Sequence, residues 1–201
     1  MMGNKITTVL AIMMSSWLVG CGSGQDALMA STGVADQPLF VLSPDGVGPL
    51  NADTPFNLIR IGDAFQDFNV SEEVQFVQND KFPVITVKDE ASPVLSINPD
   101  YQHSGIFSII VHDRRVANRL GHQLGDTYRQ VYSYGKTEKC APGVQEWAGK
   151  VMCYAPSAGN VLYLFSGGPQ ALVTNEVPTP DKMADWQLDA IVWRPPVRAG
   201  A

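Results

Sequence analysis

Catalytic chemistry needs nucleophiles, bases and acids at workable spacings, and a few stretches of this chain carry the right residue types. His103 adjoins Ser104, while Ser108 precedes His112 and Asp113 by four and five residues. These are the types a serine hydrolase uses. No Gly-x-Ser-x-Gly elbow is present to expose a nucleophile, and neighbours along a strand point to opposite faces. Glu72-Glu73 and Asp89-Glu90 are adjacent carboxylates, but solvated acids at turns and strand edges explain them more simply than glycoside chemistry, whose acids meet only in the fold. Gly121 and Gly125 followed by Asp126-Thr127 lack the lysine and the spacing of a phosphate loop, so a turn and a helix cap account for them. The sequence therefore points to a domain without enzymatic activity.

Cys21, Cys140 and Cys153 are the three cysteines. None of His103, His112 or His122 stands at zinc-motif spacing from Cys140 or Cys153, and these two are not a Cys-x-x-Cys pair, so neither a metal nor any other cofactor is expected. In an exported protein the pair reads as a disulfide, which stabilises the fold by roughly 3 kcal/mol in the chain-entropy model. Arg114 and Arg115, with Arg119 and Arg129, form the one basic concentration. They suit an anionic headgroup or a glycan, against the simpler reading of a solvated strand edge. Tyr128, Tyr132, Tyr134, Trp147 and Tyr154 are mostly core by type, although aromatics on a disulfide-pinned loop are also common recognition residues. The candidate binding surface is thus Arg114, Arg115, Arg119 and Trp147, with Trp147 favoured as a plug over the sheet.

Cys21 carries a different chemistry. The chain opens with one lysine and no acid over its first five residues, runs through an apolar stretch from Ile6 to Trp17, and reaches Leu18-Val19-Gly20-Cys21. This is the order of an export signal ending in a lipobox, whose cysteine thiol takes a diacylglyceryl group. The apolar stretch is short of the roughly 20 residues that span a bilayer. Residues 1–20 are read as a lipoprotein signal peptide, residues 21–37 as the lipidated cysteine and a flexible tether, and residues 38–195 as one globular periplasmic domain. Gly22 rather than aspartate follows the cysteine, which favours the outer membrane. Without residues 1–20, which hold Lys5 and no acid, 13 basic residues face 20 acidic ones, a formal charge of −7. Such a domain is poorly suited to nucleic acid.

The elements that must position these residues follow from hydropathy pattern. Leu39 to Leu42 reads as a buried strand, ended by the turn Ser43-Pro44-Asp45-Gly46. Thr54-Pro55 reads as a helix start, with Leu58, Ile61, Phe65 and Phe68 on one face to about Phe68. Val74 to Val77, Phe82 to Val87, Val94 to Ile97 and Ile106 to Val111 form a meander, separated by turns at Asn79-Asp80, Asp89-Glu90 and Asn98-Pro99-Asp100. Val116 extends that sheet. Asp126 or Thr127 caps a second short helix, Val151 to Tyr154 and Val161 to Phe165 are strands, and Pro178 and Pro180 mark a connection. Trp186, Leu188, Ala190 and Val192 alternate onto one face of a last strand. The fold class is α+β, a mostly antiparallel sheet with two short helices in a single domain.

Several of these stretches together resemble a known family. Gly46 to Phe56 (GVGPLNADTPF), Leu120 to Thr127 (LGHQLGDT), Cys140, Cys153 and Tyr163 to Gly167 (YLFSG) are similar to the enterobacterial, YfeY-like lipoproteins under the envelope-stress sigma factor sigma-E, whose domain has no assigned function. The resemblance spans the mature chain. It implies an outer-membrane lipoprotein on the periplasmic face, made under envelope stress, and supplies no active site to carry over. The expected function is binding of an envelope component, with a periplasmic or outer-membrane protein as a possible partner. Inhibition of a cell-wall hydrolase such as lysozyme is the alternative, and an unrecognised periplasmic enzyme is the third.

Overall fold

The computed structural model describes residues 37–77, 80–132, 139–168 and 176–197. Residues 1–36, with Cys21 and nearly all of the expected tether, lie outside the described residues, as do Asn79 and Tyr134. Residues 36–201 form one compact unit. No described helix is long and apolar enough to cross a membrane.

A small sheet comes first. Strand β1 (Phe40–Ser43) turns through Pro44-Asp45 into β2 (Gly46–Val47), which pairs with β3 (Leu50–Asn51). Gly46 is required here, because a Cβ on it would stand 2.0 Å from the Leu50 carbonyl oxygen. Helix α1 (Leu58–Ala64) is shorter than expected and starts later. Asn57 is its cap, with Oδ1 accepting from Arg60 N at 3.0 Å. Thr54, read as the cap, instead accepts from Asn51 N at 3.0 Å, and Pro55 bridges to Gly105. The nearby Asn51 claims the threonine hydroxyl, which leaves the next good capping side chain to begin the helix.

The meander follows as β4 (Asn69–Val77), β5 (Asp80–Asp89), β6 (Ser92–Pro99) and β7 (Ile106–Val111), antiparallel throughout. One expected turn is displaced: Asn98 and Pro99 belong to β6, and the chain reverses through Asp100 to Gly105. The Asp100 carboxylate accepts from the Ser104 and Gly105 amides, each at 2.9 Å, which holds the turn and pushes its pKa down. Val116 does not extend this sheet. It opens β8 (Val116–Asn118), which runs parallel to β1 and completes the small sheet in the order β3-β2-β1-β8.

Thr127 and Gln130 form a capping box for α2 (Tyr128–Val131). Then come β9 (Cys140–Pro142), β10 (Lys150–Ala155) and β11 (Ala158–Ser166). A third helix, α3 (Pro180–Met183), occupies the segment read as a proline-rich connection, with Pro180 at a first-turn position where its missing N–H costs nothing. The last strand, β12 (Gln187–Trp193), pairs with both β11 and β7. It zips the two halves into one eight-stranded sheet, β4-β5-β6-β7-β12-β11-β10-β9.

The main core lies between one face of this sheet and the layer made by the small sheet and the helices. Leu42, Val47, Ile61 and Phe65 from that layer meet Ile97, Ile109, Tyr163 and Trp193 from the sheet. A second, smaller cluster occupies the other face: Leu162, Leu164, Ala190 and Val192, with Ile110, Trp147 and Met152 against them. The expected single face of β12 is wrong for a local reason. The register slips between Leu164 and Phe165, which pair with Ala190 and Leu188 and leave Asp189 as the extra residue. One inserted residue reverses the alternation, so Leu188 joins the main core while Ala190 and Val192 join the second cluster.

Candidate functional site

The arginine concentration stands beside β8, at the edge of the small sheet. Pro38, Asp113, Arg114, Arg115, Ala117, Asn118, Gly121 and Gln123 line a groove of about 750 Å³. Arg115 is fixed in it by two carboxylates. Its Nη2 lies 2.6 Å from Asp113 Oδ2, its Nε donates to both Asp113 oxygens at 3.1 Å, and its Nη1 lies 2.8 Å from Asp89 Oδ2. The arginine holds the Asp113 carboxyl below its ordinary range, and the two acids push the guanidinium's pKa up. Arg114 is exposed and pairs with no acid among the described residues. Arg119, also exposed, lines a neighbouring groove of about 540 Å³ with Leu39, Phe40, Gly48 and Pro49. Arg129 is neutralised by Asp185. Of the four arginines, two are thus ion-paired, and Arg114 and Arg119 keep a net charge to offer.

Beneath the groove lies a polar contact that no sequence motif announces. Asn118 Nδ2 donates to the Tyr163 hydroxyl at 2.9 Å, and His122 Nδ1 stands 3.2 Å from the same oxygen. Tyr163 is fully buried, and that burial pushes its pKa up to about 12. Burial also lowers the His122 pKa, with Asp126 opposing in part. At neutral pH the phenol and the imidazole are both uncharged. The Tyr163 hydroxyl thereby holds Asn118, one of the residues that line the groove. The residues are 41 and 45 positions apart in sequence, a separation from which no local pattern can be read.

The other chemical candidates go to separate partners. Ser108 is buried and accepts from Asn98 Nδ2 at 3.1 Å, His112 Nε2 contacts Ser96 Oγ at 2.9 Å, and Asp113 is taken by Arg115. Ser104 is held by Asp100 beside His103, whose φ is 55°. Glu73 pairs with Lys88 at 2.6 Å, and Glu90 sits in a turn at φ 53°. Gly121 and Gly125 take φ 85° and 94°, and the loop between them is closed by Asp126 accepting from Gln123 N at 2.8 Å. Among the described residues, no three of His, Cys, Asp or Glu cluster closely enough to hold a metal ion.

Cys140 and Cys153 form the disulfide. They are directly opposed across the β9–β10 pair, with Cα atoms 4.1 Å apart, so the bridge closes the base of a hairpin. Trp147, in a single 3-10 turn over Gln145–Trp147, is half-buried against the second cluster. It is therefore a plug on the far face of the main sheet and does not share a surface with Arg114, Arg115 and Arg119.

Comparison with known proteins agrees with the fold just described. The model of a family described as a protein of unknown function, DUF1131, matches residues 37–195. The chain belongs to that DUF1131 family. Its fold is also that of the crystal structure of the uncharacterized protein yfeY from Escherichia coli, with a TM-score of 0.61 at 24% identity over 76% of this chain and 98% of that one. No curated protein matches the chain. The YfeY-like domain of unknown function that the sequence resemblance implied is thus shown.

Proposed function

We propose that this DUF1131 chain is an outer-membrane lipoprotein, anchored through Cys21 and made under envelope stress, whose periplasmic domain binds an anionic envelope component without enzymatic turnover. The observation that carries this reading is the place of Pro38. The residue through which the tether enters the domain lines the same groove as Arg114 and Arg115. A groove beside the point where the chain enters the domain supports an envelope-facing role for these arginines. Arg115 is already neutralised and acts as a fixed wall, leaving Arg114, with Arg119 nearby, to meet an acidic oxygen group.

The experiment is co-sedimentation of the soluble domain with vesicles of neutral phospholipid and with vesicles enriched in anionic phospholipid. Binding to the anionic vesicles that falls several-fold in Arg114→Ala/Arg119→Ala and weakens with salt is the expected result. Equal recovery with both vesicle types removes the reading. The anchor is tested separately by Cys21→Ser, which leaves the precursor unacylated. Its retention in outer-membrane fractions would contradict the lipoprotein assignment.

A second reading, inhibition of a cell-wall hydrolase, is favoured by the disulfide-closed hairpin. That hairpin presents Val144 and Tyr154 at 64% and 42% exposure. Unchanged lysozyme activity at excess domain excludes it.

A further inference from the structure

The two edges of the main sheet are unlike. At one end β9 is three residues long and includes a proline. At the other, β4 is nine residues long, contains no proline and keeps an unbroken register with β5 from Asn69 to Val77. Long regular edges are what soluble proteins usually shorten, bulge or interrupt, because their free N–H and C=O groups template another strand. The far half of this edge also leaves the body of the domain. Strand β6 pairs with β5 only from Ile85 to Asp89, so the preceding part of β5 and its β4 partner project as a two-stranded ribbon. On it Val74 is 56% exposed, Phe76 69% and Phe82 41%. A lone two-stranded ribbon is marginal in water, and this one holds two aromatic rings in solvent.

We infer that the β4 edge is a self-pairing interface, on which a second copy of this chain adds its own β4 antiparallel about a two-fold axis at Gln75. The side-chain order selects both the occupant and the register. Paired residues in a sheet share a face, so a two-fold pairing that keeps the faces continuous has its axis on a residue. An axis at Glu73 sets two carboxylates opposite each other, and an axis at Val74 sets Phe76 against Glu72. With the axis at Gln75, Val74 of each copy meets Phe76 of the other and no acid faces an acid from 73 to 77. Phe76 already has Lys81 beside it across the hairpin, its ammonium 5.8 Å from the ring centroid, and Val74 has Pro83. The result is two rows, each apolar over three strands from Pro83 through Val74 to Phe76 of the other copy and ended on the fourth by the Lys81 that covers that ring. An edge pairing of this length buries less than the roughly 1,200–2,000 Å² of a standard stable interface, so the association is weak.

The test is register-specific crosslinking of the soluble domain with its native disulfide intact, at concentrations up to about 1 mM, the affinity range of small interfaces. Single cysteines replace Gln75, Val74 or Glu73, and melting curves confirm that each variant is folded. Directly opposed strand residues lie within disulfide reach, whereas those offset by two positions do not. Gln75→Cys therefore oxidises to a dimer at least tenfold faster than Glu73→Cys, and Phe76→Lys introduced into the Gln75→Cys chain abolishes the difference. Equal rates at all three positions indicate random collision and overturn the proposal. So does fastest crosslinking at Val74, and so does a Gln75→Cys chain that stays monomeric, which leaves the edge to a different partner.

Discussion

Reducing the Cys140–Cys153 bridge should lower the melting temperature of the domain by about 6–12 °C. The two cysteines are 13 positions apart, and releasing a closure of that length returns about 3 kcal/mol of chain entropy to the unfolded state at 25 °C. For a domain the size of residues 37–195, each kcal/mol moves the midpoint by roughly 2–4 °C. The structure also says where the loss is felt. Strand β9 is the last in the sheet order and, among the described strands, pairs with β10 alone, so without the bridge its three residues are the first to fray. Trp147 stands in the loop of that hairpin, where Gly143 admits the close approach: a Cβ on Gly143 would lie 2.1 Å from the Trp147 carbonyl oxygen. Fraying lifts the indole from the second apolar cluster and shifts its fluorescence to the red. Trp193 stays fully buried, with Nε1 donating to Pro44 O at 2.9 Å. Scanning calorimetry with and without reductant gives the midpoint, and the emission difference should vanish in Trp147→Phe. A midpoint that moves by less than about 2 °C on reduction would refute the reasoning, because hairpin contacts alone would then hold β9.

Three further outcomes are expected. Tyr163→Phe removes the oxygen shared by Asn118 and His122, and should cost about 1–2 kcal/mol in a denaturant titration; the unmutated phenol should resist ionisation until about pH 12 in an ultraviolet titration. The folded state lowers the His122 pKa, so the unfolded chain binds more protons below about pH 6.5 and stability falls as pH drops through that window. Urea midpoints measured from pH 7 to 5 should fall, and should fall less in His122→Asn. Arg115→Ala leaves Asp113 and Asp89 without their shared cation. Both partners are partly exposed, so the loss, read from urea midpoints, should be small, largest at low salt and shrinking as salt is added.

Which parts of this molecule could be read from its sequence depends on how far apart the determining residues lie. Strand β7 runs from Ile106 to Val111 as expected, because an apolar run interrupted only by Ser108, between a glycine and a histidine, settles it locally. The cap of α2 was equally local, with Thr127 and Gln130 three residues apart. Cap choice at α1 was local too, with Asn51 three residues from Thr54, but two capping side chains, Thr54 and Asn57, competed and the one engaged by Asn51 was not free to start the helix. In β12 the alternation was correctly seen and wrongly continued, because the insertion of Asp189 is fixed by pairing with β11. Strand β8 could not be assigned at all without knowing that β1, some 75 residues earlier, waits to pair with it in parallel.

The candidate site shows the same division with a chemical consequence. Sequence proximity grouped Arg114, Arg115 and Arg119 as one positive patch and joined Trp147 to it. Charge in a fold is set by neighbours in space, and Asp89 reaches Arg115 from the end of β5 to cancel it, while Asp185 cancels Arg129 from the segment after α3. What the patch offers is then Arg114 and Arg119 on neighbouring grooves, beside a fixed cluster in which the one cation of Arg115 faces the two carboxylates of Asp89 and Asp113. Two such groups at a surface favour a ligand bearing separated acidic oxygens over one compact anion, since separated oxygens engage both guanidiniums whereas a compact anion is held by one of them. The sharper expectation for the vesicle experiment follows: inorganic phosphate should compete poorly with the anionic surface, and strong competition by phosphate alone would refute contact through both arginines.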